Sequence, residues 1–152
     1  MLRFTVLAVL AIAATCLAQE QEKKIPRADL PAAVEKTVAA QSQGATIKGF
    51  SQEKENGQTF YEAELMVSGH SKDVLIDPSG AVVEVEEQVA FDSLPAAVKA
   101  GLQAKSGKGK IVKVESLTKH DKLVAYEAKV QIDGKKSEIQ VGPDGKLLDH
   151  EE

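Results

Sequence analysis

The same passage occurs twice in this chain, and that duplication limits the possible folds more than any other feature. Leu30-Pro31-Ala32-Ala33-Val34 returns as Leu94-Pro95-Ala96-Ala97-Val98, and Ile47 returns as Ile111, at one constant offset. After one inserted residue, Tyr61-Glu62-Ala63 returns as Tyr126-Glu127-Ala128. Gly69, Pro78, Gly80, Glu86 and Glu87 then return as Gly134, Pro143, Gly145, Glu151 and Glu152. Units of about 60 residues are marginal alone, so the two copies are expected to share one core.

Each copy opens on an amphipathic helix. Leu30, Ala33, Val34, Thr37 and Val38 follow the i, i+3, i+4, i+7, i+8 stripe, as do Leu94, Ala97, Val98, Gly101 and Leu102. Asp29 and Ser93 stand where an N-cap belongs, Pro31 and Pro95 suit a first turn, and Gly44 and Gly107 suit a stop. The helices are predicted over 31–43 and 95–106. Turn signals at Asn56-Gly57, Ser68-Gly69, Asp77-Pro78-Ser79-Gly80, Asp133-Gly134 and Gly142-Pro143-Asp144-Gly145 then divide the remainder into strands. Those strands are expected at 46–54, 58–67, 71–77 and 81–87, and again at 110–118, 123–132, 136–141 and 146–151. Short connections make them an antiparallel meander. The expected class is α+β: two tandem units, each a helix on a four-stranded sheet, joined into one longer sheet with both helices on one face and the other face open to solvent.

Ahead of the repeats, Arg3 and an apolar run from Phe4 to Thr15, followed by small residues, read as a secretory signal over 1–18 cleaved after Ala18. The run is shorter than the roughly 20 residues that span a bilayer, so stable membrane insertion is not expected. Residues 19–28 read as a charged linker, with repeat 1 at 29–88 and repeat 2 at 93–152. Cys16 is the only cysteine, so cleavage leaves a chain without disulfides or thiol chemistry. The competing reading, acylation at Cys16, fits the preceding Ala13-Ala14-Thr15 poorly. Removal of the signal leaves 18 basic against 23 acidic residues, an excess of negative charge that disfavours nucleic acid and anionic membrane surfaces as partners.

The Leu-Pro-x-Ala-Val helix start, the Tyr-Glu-Ala strand and the Pro-x-Gly turn, in that order and twice over, resemble the PepSY-like family, whose tandem members share the fold of the beta-lactamase inhibitor protein. The resemblance covers about 30 to 152. It implies a helix packed on an antiparallel sheet, residence outside the cytoplasm, and a role in binding or restraining proteins such as peptidases. PepSY units also occur in propeptides of thermolysin-type metalloproteases. No protease follows the repeats in this sequence, so chaperoning one in cis is not expected. The family has no shared catalytic motif to carry over.

The residues themselves suggest no catalyst. His70, His120 and His150 are isolated from one another and from any thiolate, so neither a structural zinc site nor a resident cofactor is expected. Glu84, Glu86 and Glu87 follow one another on a strand end without forming a cleft, and read as charges guarding a sheet edge. Gly107-Lys108-Gly109-Lys110 lacks the spacing of a phosphate loop. Tyr61 and Tyr126 head the inward-facing set and are assigned to packing.

The outward set is the more informative one. Phe60, Glu62, Glu64 and Met66 on one strand, with Glu127, Lys129 and Gln131 on its counterpart, are the candidate partner-binding residues. Phe60 and Met66 stand where repeat 2 has Ala125 and Gln131, and an aromatic and a methionine beside carboxylates suit an interface. The expected function is a non-enzymatic, periplasmic or secreted module that binds an envelope or extracellular protein, monomeric or weakly dimeric, and occludes an enzyme sterically. The alternative is an envelope protein that gathers cations or small ligands weakly through acids such as Glu84, Glu86 and Glu151.

Overall fold

The computed structural model describes residues 22–148, 150 and 152. The expected signal at 1–18, Cys16 and Glu151 therefore lie outside the described residues. In chain order the elements are β1 (Lys23–Lys24), α1 (Ala32–Gln41), β2 (Thr46–Glu55), β3 (Gln58–Val67), β4 (His70–Ile76), β5 (Val82–Gln88), α2 (Ala96–Ser106), β6 (Lys110–Lys119), β7 (Lys122–Ile132) and β8 (Lys135–Val141). The strands form a single eight-stranded sheet in sequence order, with every neighbouring pair antiparallel. Four of the hairpins close on two residues that both have positive φ: Asn56-Gly57, Ser68-Gly69, His120-Asp121 and Asp133-Gly134. Their left-handed backbone matches the twist of the flanking strands and fixes the register.

The two repeats meet where β5 pairs with β6, from Glu84↔Lys119 to Gln88↔Glu115. Ala63, Val74, Val85 and Thr118 lie in one cross-strand row through this seam, so the faces that carry the helices are continuous. Val34 and Val38 of α1 pack on Ala63, Leu65, Val74 and Ile76. Val98 and Leu102 of α2 pack on Val114, Ala128, Val130, Ile139 and Val141. Tyr61 and Tyr126 lie half-buried against these two clusters. Fully burying one such aliphatic side chain contributes about 1.5–3 kcal/mol, which makes these clusters the main source of stability in a core without tryptophan.

The repeated motifs meet in space, with the first turn of each helix resting on the Pro-x-Gly turn of its own repeat. A Cβ placed on Gly80 would stand 2.7 Å from the Ala33 carbonyl oxygen, and one on Gly145 would stand 2.1 Å from that of Ala97. Both glycines also have positive φ. This seat requires glycine twice over, for backbone conformation and for close approach.

Four expectations are corrected. The repeats do not share one core: each helix covers a separate cluster of its own repeat, joined only through the sheet. The helices begin after Pro31 and Pro95 with no side-chain cap, because Asp29 and Ser93 belong to short 3-10 turns at Arg27–Asp29 and Phe91–Ser93. Part of the expected linker is ordered: Lys23 and Lys24 pair with Gln52 and Ser51, and the Ile25 amide donates to the Phe50 carbonyl. Val89 donates to Val114 in the equivalent place, so the structural repeat starts upstream of residue 29. Finally, the strand expected at 146–151 is reduced to one bridge, Val141↔Leu147. Its counterpart β5 has a ladder on each side, whereas among the described residues β8 is the last strand of the sheet, and Leu147 is 63% exposed.

Candidate functional site

Alternation along the strands sends a second set of side chains to the face without helices. Phe60, Glu62, Glu64 and Met66 all reach it from β3, and Glu127, Lys129 and Gln131 from β7, so the expected residues do share one surface. Their surroundings differ. Phe60 and Met66 are half-buried, not fully exposed. Phe60 lies in a shallow depression with Leu75, Val83, Glu84, Lys119 and His120. Glu62 accepts a hydrogen bond of 2.7 Å from the buried Ser51 hydroxyl. Glu64 pairs with Lys24, and this hydrogen bond holds the lysine well above its ordinary pKa. Glu127 accepts 3.0 Å from Gln140 Nε2, while burial raises its carboxyl. Gln131 is exposed beside Lys110 and Lys136.

The middle of this face is buried although no helix covers it. Ser51, Glu115, Leu117, Ala125 and Gln140 are each less than a tenth exposed. Longer neighbours supply part of the cover, and Glu152 supplies more. Its amide donates 2.8 Å to Gln140 Oε1 on β8 and its carboxylate stands 4.0 Å from Lys119 Nζ on β6, so it crosses above β7.

Asp73, Glu86 and Glu115 come together here from β4, β5 and β6, and the sequence reading had not grouped them. Each offers a carboxylate oxygen within 4.8 Å of the others. Burial, followed by Glu62, pushes Asp73 up to about 6 against the pull of Lys113. Burial, followed by Glu115 and Glu127, pushes Glu86 up to about 8. Burial also raises Glu84, 3.6 Å from Lys119 Nζ. The reading of Glu84 and Glu86 as edge charges is therefore corrected: β5 is the interior strand that joins the repeats, and both carboxylates point from it into the open face. Lys113 Nζ stands 2.5 Å from Glu115 Oε1, and Lys129 Nζ stands 3.4 Å from Glu115 Oε2 and 3.5 Å from Glu138. Burial works to lower the pKa of Lys129, but Glu115 and Glu138 raise it overall. A second carboxylate group, Glu22, Glu62 and Glu64, lies at the β1 edge around Lys24.

Two overlapping stretches, residues 17–83 and 59–149, match the family described as beta-lactamase-inhibitor-like, PepSY-like. The chain belongs to this family. The PepSY-like chain is also similar to solved structures at low identity. A BLIP-like protein from Bacteroides fragilis is 22% identical, with 82% of this chain and 84% of that one covered and a TM-score of 0.58. A protein from Bacteroides eggerthii described as periplasmic is 20% identical, with coverage of 78% and 85% and a TM-score of 0.64. A DUF2874 family protein from Bacteroides ovatus is 20% identical, with coverage of 78% and 84% and a TM-score of 0.61. At these identities the likeness establishes the fold of the PepSY-like chain, two helix-backed units in one sheet. No curated protein matches the sequence. Among the described residues, no helix is long and apolar enough to cross a membrane.

Proposed function

We propose that this PepSY-like protein is a periplasmic, non-enzymatic binding module that takes a partner protein on its open sheet face. The observation that carries this reading is the face itself. It extends across both repeats without a covering helix and carries a half-buried Phe60 and Met66 on the repeat 1 side of a field of carboxylates. Aromatic and methionine side chains are favoured at interface centres, and charge around them steers and selects the partner. Family membership and the periplasmic description of the Bacteroides eggerthii relative support placement in the envelope. One continuous sheet backed by both helices underlies the face, so the mode of action that fits is steric: a peptidase or other envelope enzyme is restrained when its active-site rim is covered.

The test is affinity capture from an envelope extract with the natural protein and with Phe60→Asp, followed by inhibition assays on any enzyme identified. A partner retained by the natural protein, lost by the variant and slowed in its own reaction is the expected result. Identical capture profiles, or a captured enzyme whose rate is unchanged, would remove the open face or the inhibitory role respectively.

A further inference from the structure

At the seam between the repeats, one carboxylate from each of three adjacent strands converges on a small volume. Asp73 on β4 pairs in register with Glu86 on β5, and Glu115 enters from β6. One oxygen of each lies within 4.8 Å of the others. Calcium binds oxygen ligands at about 2.3–2.6 Å, so a single ion placed among oxygens so spaced can reach all three with little movement of the side chains.

Acidic groups alone do not make a site, but Glu115 adds a different kind of observation. The residue is 1% exposed, and its Oε2, wholly buried, accepts no hydrogen bond among the described residues. Lys129 Nζ stands 3.4 Å from this oxygen but not in hydrogen-bonding geometry. The other oxygen, Oε1, has Lys113 Nζ at 2.5 Å and the Ser71 hydroxyl at 3.4 Å. A buried carboxylate oxygen without a donor is costly, and such orphans commonly mark the place of an ion or water.

We propose that Asp73, Glu86 and Glu115 hold one calcium ion at the seam, binding repeat 1 to repeat 2 through the ion. The donor set selects the metal class. It is entirely oxygen, with no imidazole or thiolate, which favours a hard cation over zinc or copper. Calcium accepts irregular arrangements of six to eight oxygens, which water can complete around one oxygen from each carboxylate, whereas magnesium demands a near-ideal octahedron. The two lysines do not close the site. Their side chains are 24% and 41% exposed on flexible four-carbon stems, so either can turn to solvent as the ion enters. The group at Glu22, Glu62 and Glu64 lacks a comparable orphan, and Lys24 already pairs with two of its members.

The experiment is calcium titration of the chelator-treated protein by calorimetry, with thermal melts recorded alongside. The expected result is one calcium per chain, with a melting temperature raised by a few °C at about 5 mM calcium, as mass action requires of a ligand bound only by the folded state. Glu115→Gln and Glu86→Gln should each weaken uptake by at least about tenfold, with two variants guarding against a folding defect in either. Glu64→Gln should leave uptake unchanged, and Lys129→Met should tighten it several-fold by removing the competing cation. No uptake by the natural protein at about 5 mM would overturn the proposal. So would uptake abolished by Glu64→Gln and indifferent to Glu86→Gln and Glu115→Gln, or equal affinity for magnesium.

Discussion

Repeat 1 and repeat 2 have the same backbone plan but treat two equivalent positions in opposite ways. Where α1 crosses its Pro-x-Gly turn, Thr37 donates a hydrogen bond of 2.6 Å to the Gly80 carbonyl. The equivalent residue in α2 is Gly101, where a Cβ would stand 2.0 Å from the Gly145 carbonyl oxygen, so the second helix sits closer to its turn and has no side chain there to donate. On the open face, Ser51 of β2 is buried and satisfies Glu62, whereas its counterpart Glu115 is a buried carboxylate facing Glu127 across the strands. At this position repeat 1 carries a hydroxyl and repeat 2 a charge, which joins Asp73 and Glu86 of repeat 1 at the seam. The comparison teaches that a duplicated fold needs only its seat to be the same twice, and the face opposite the helices can then specialise.

The largest expected effect tests the closeness of the two helix seats. Gly145→Ala should cost more than about 3 kcal/mol, since positive φ and a contact near 2 Å add together, while Gly80→Ala should cost about 1–3 kcal/mol. Urea unfolding followed by circular dichroism measures both, and equal losses would mean that the helices are seated alike. Next comes the charge at the seam. Glu86 keeps its proton to about pH 8 in the fold but only to about 4.5 when unfolded, so the folded state binds the extra proton and stability falls as pH rises through that window. In chelator, Glu86→Gln should gain about 1–3 kcal/mol at pH 8 and nothing near pH 4, as read from calorimetric melts. A gain that does not vary with pH would separate the seam from any stored charge.

Smaller effects sharpen the same contrast. Thr37→Val should cost about 1 kcal/mol by leaving the Gly80 carbonyl without its side-chain donor, a loss with no equivalent in repeat 2. Smallest of all, Arg27→Ala breaks the exposed pair with Glu35 and should move the melting temperature by no more than about a degree. A larger shift would give the 3-10 turn of repeat 1 an anchoring role that Phe91 does not reproduce in repeat 2.

Seven of the eight expected strands and both helices were legible because their signals are local: alternation over Tyr61–Val67 and Tyr126–Ile132, and turn pairs such as Asn56-Gly57. Asp29 and Ser93 have the right chemistry for caps, but Pro31 and Pro95 shift the helix start past them into the first turn. Lys23 and Lys24 look like solvated charges until the free edge of β2 gives them a partner. The candidate residues on β3 and β7 were found by their shared parity. Asp73, Glu86 and Glu115 were not grouped, because their proximity depends on the β5–β6 pairing, which no local pattern specifies. Once β5 is read as an interior strand, the carboxylates at the alternate positions Glu84 and Glu86 become a signal for a site.

Pairing each strand only with its neighbours in sequence has a kinetic consequence. Except where α1 and α2 intervene before β2 and β6, no long loop has to close before contacts form, so the strands within each repeat can assemble hairpin by hairpin, with a low entropic barrier for their β content. The same plan extends readily: among the described residues no strand pairs with the outer edge of β8, and the Val141–Leu147 bridge occupies one end of that edge. In this respect the molecule is a short one-dimensional array of two units, with a single Leu147 bridge on β8.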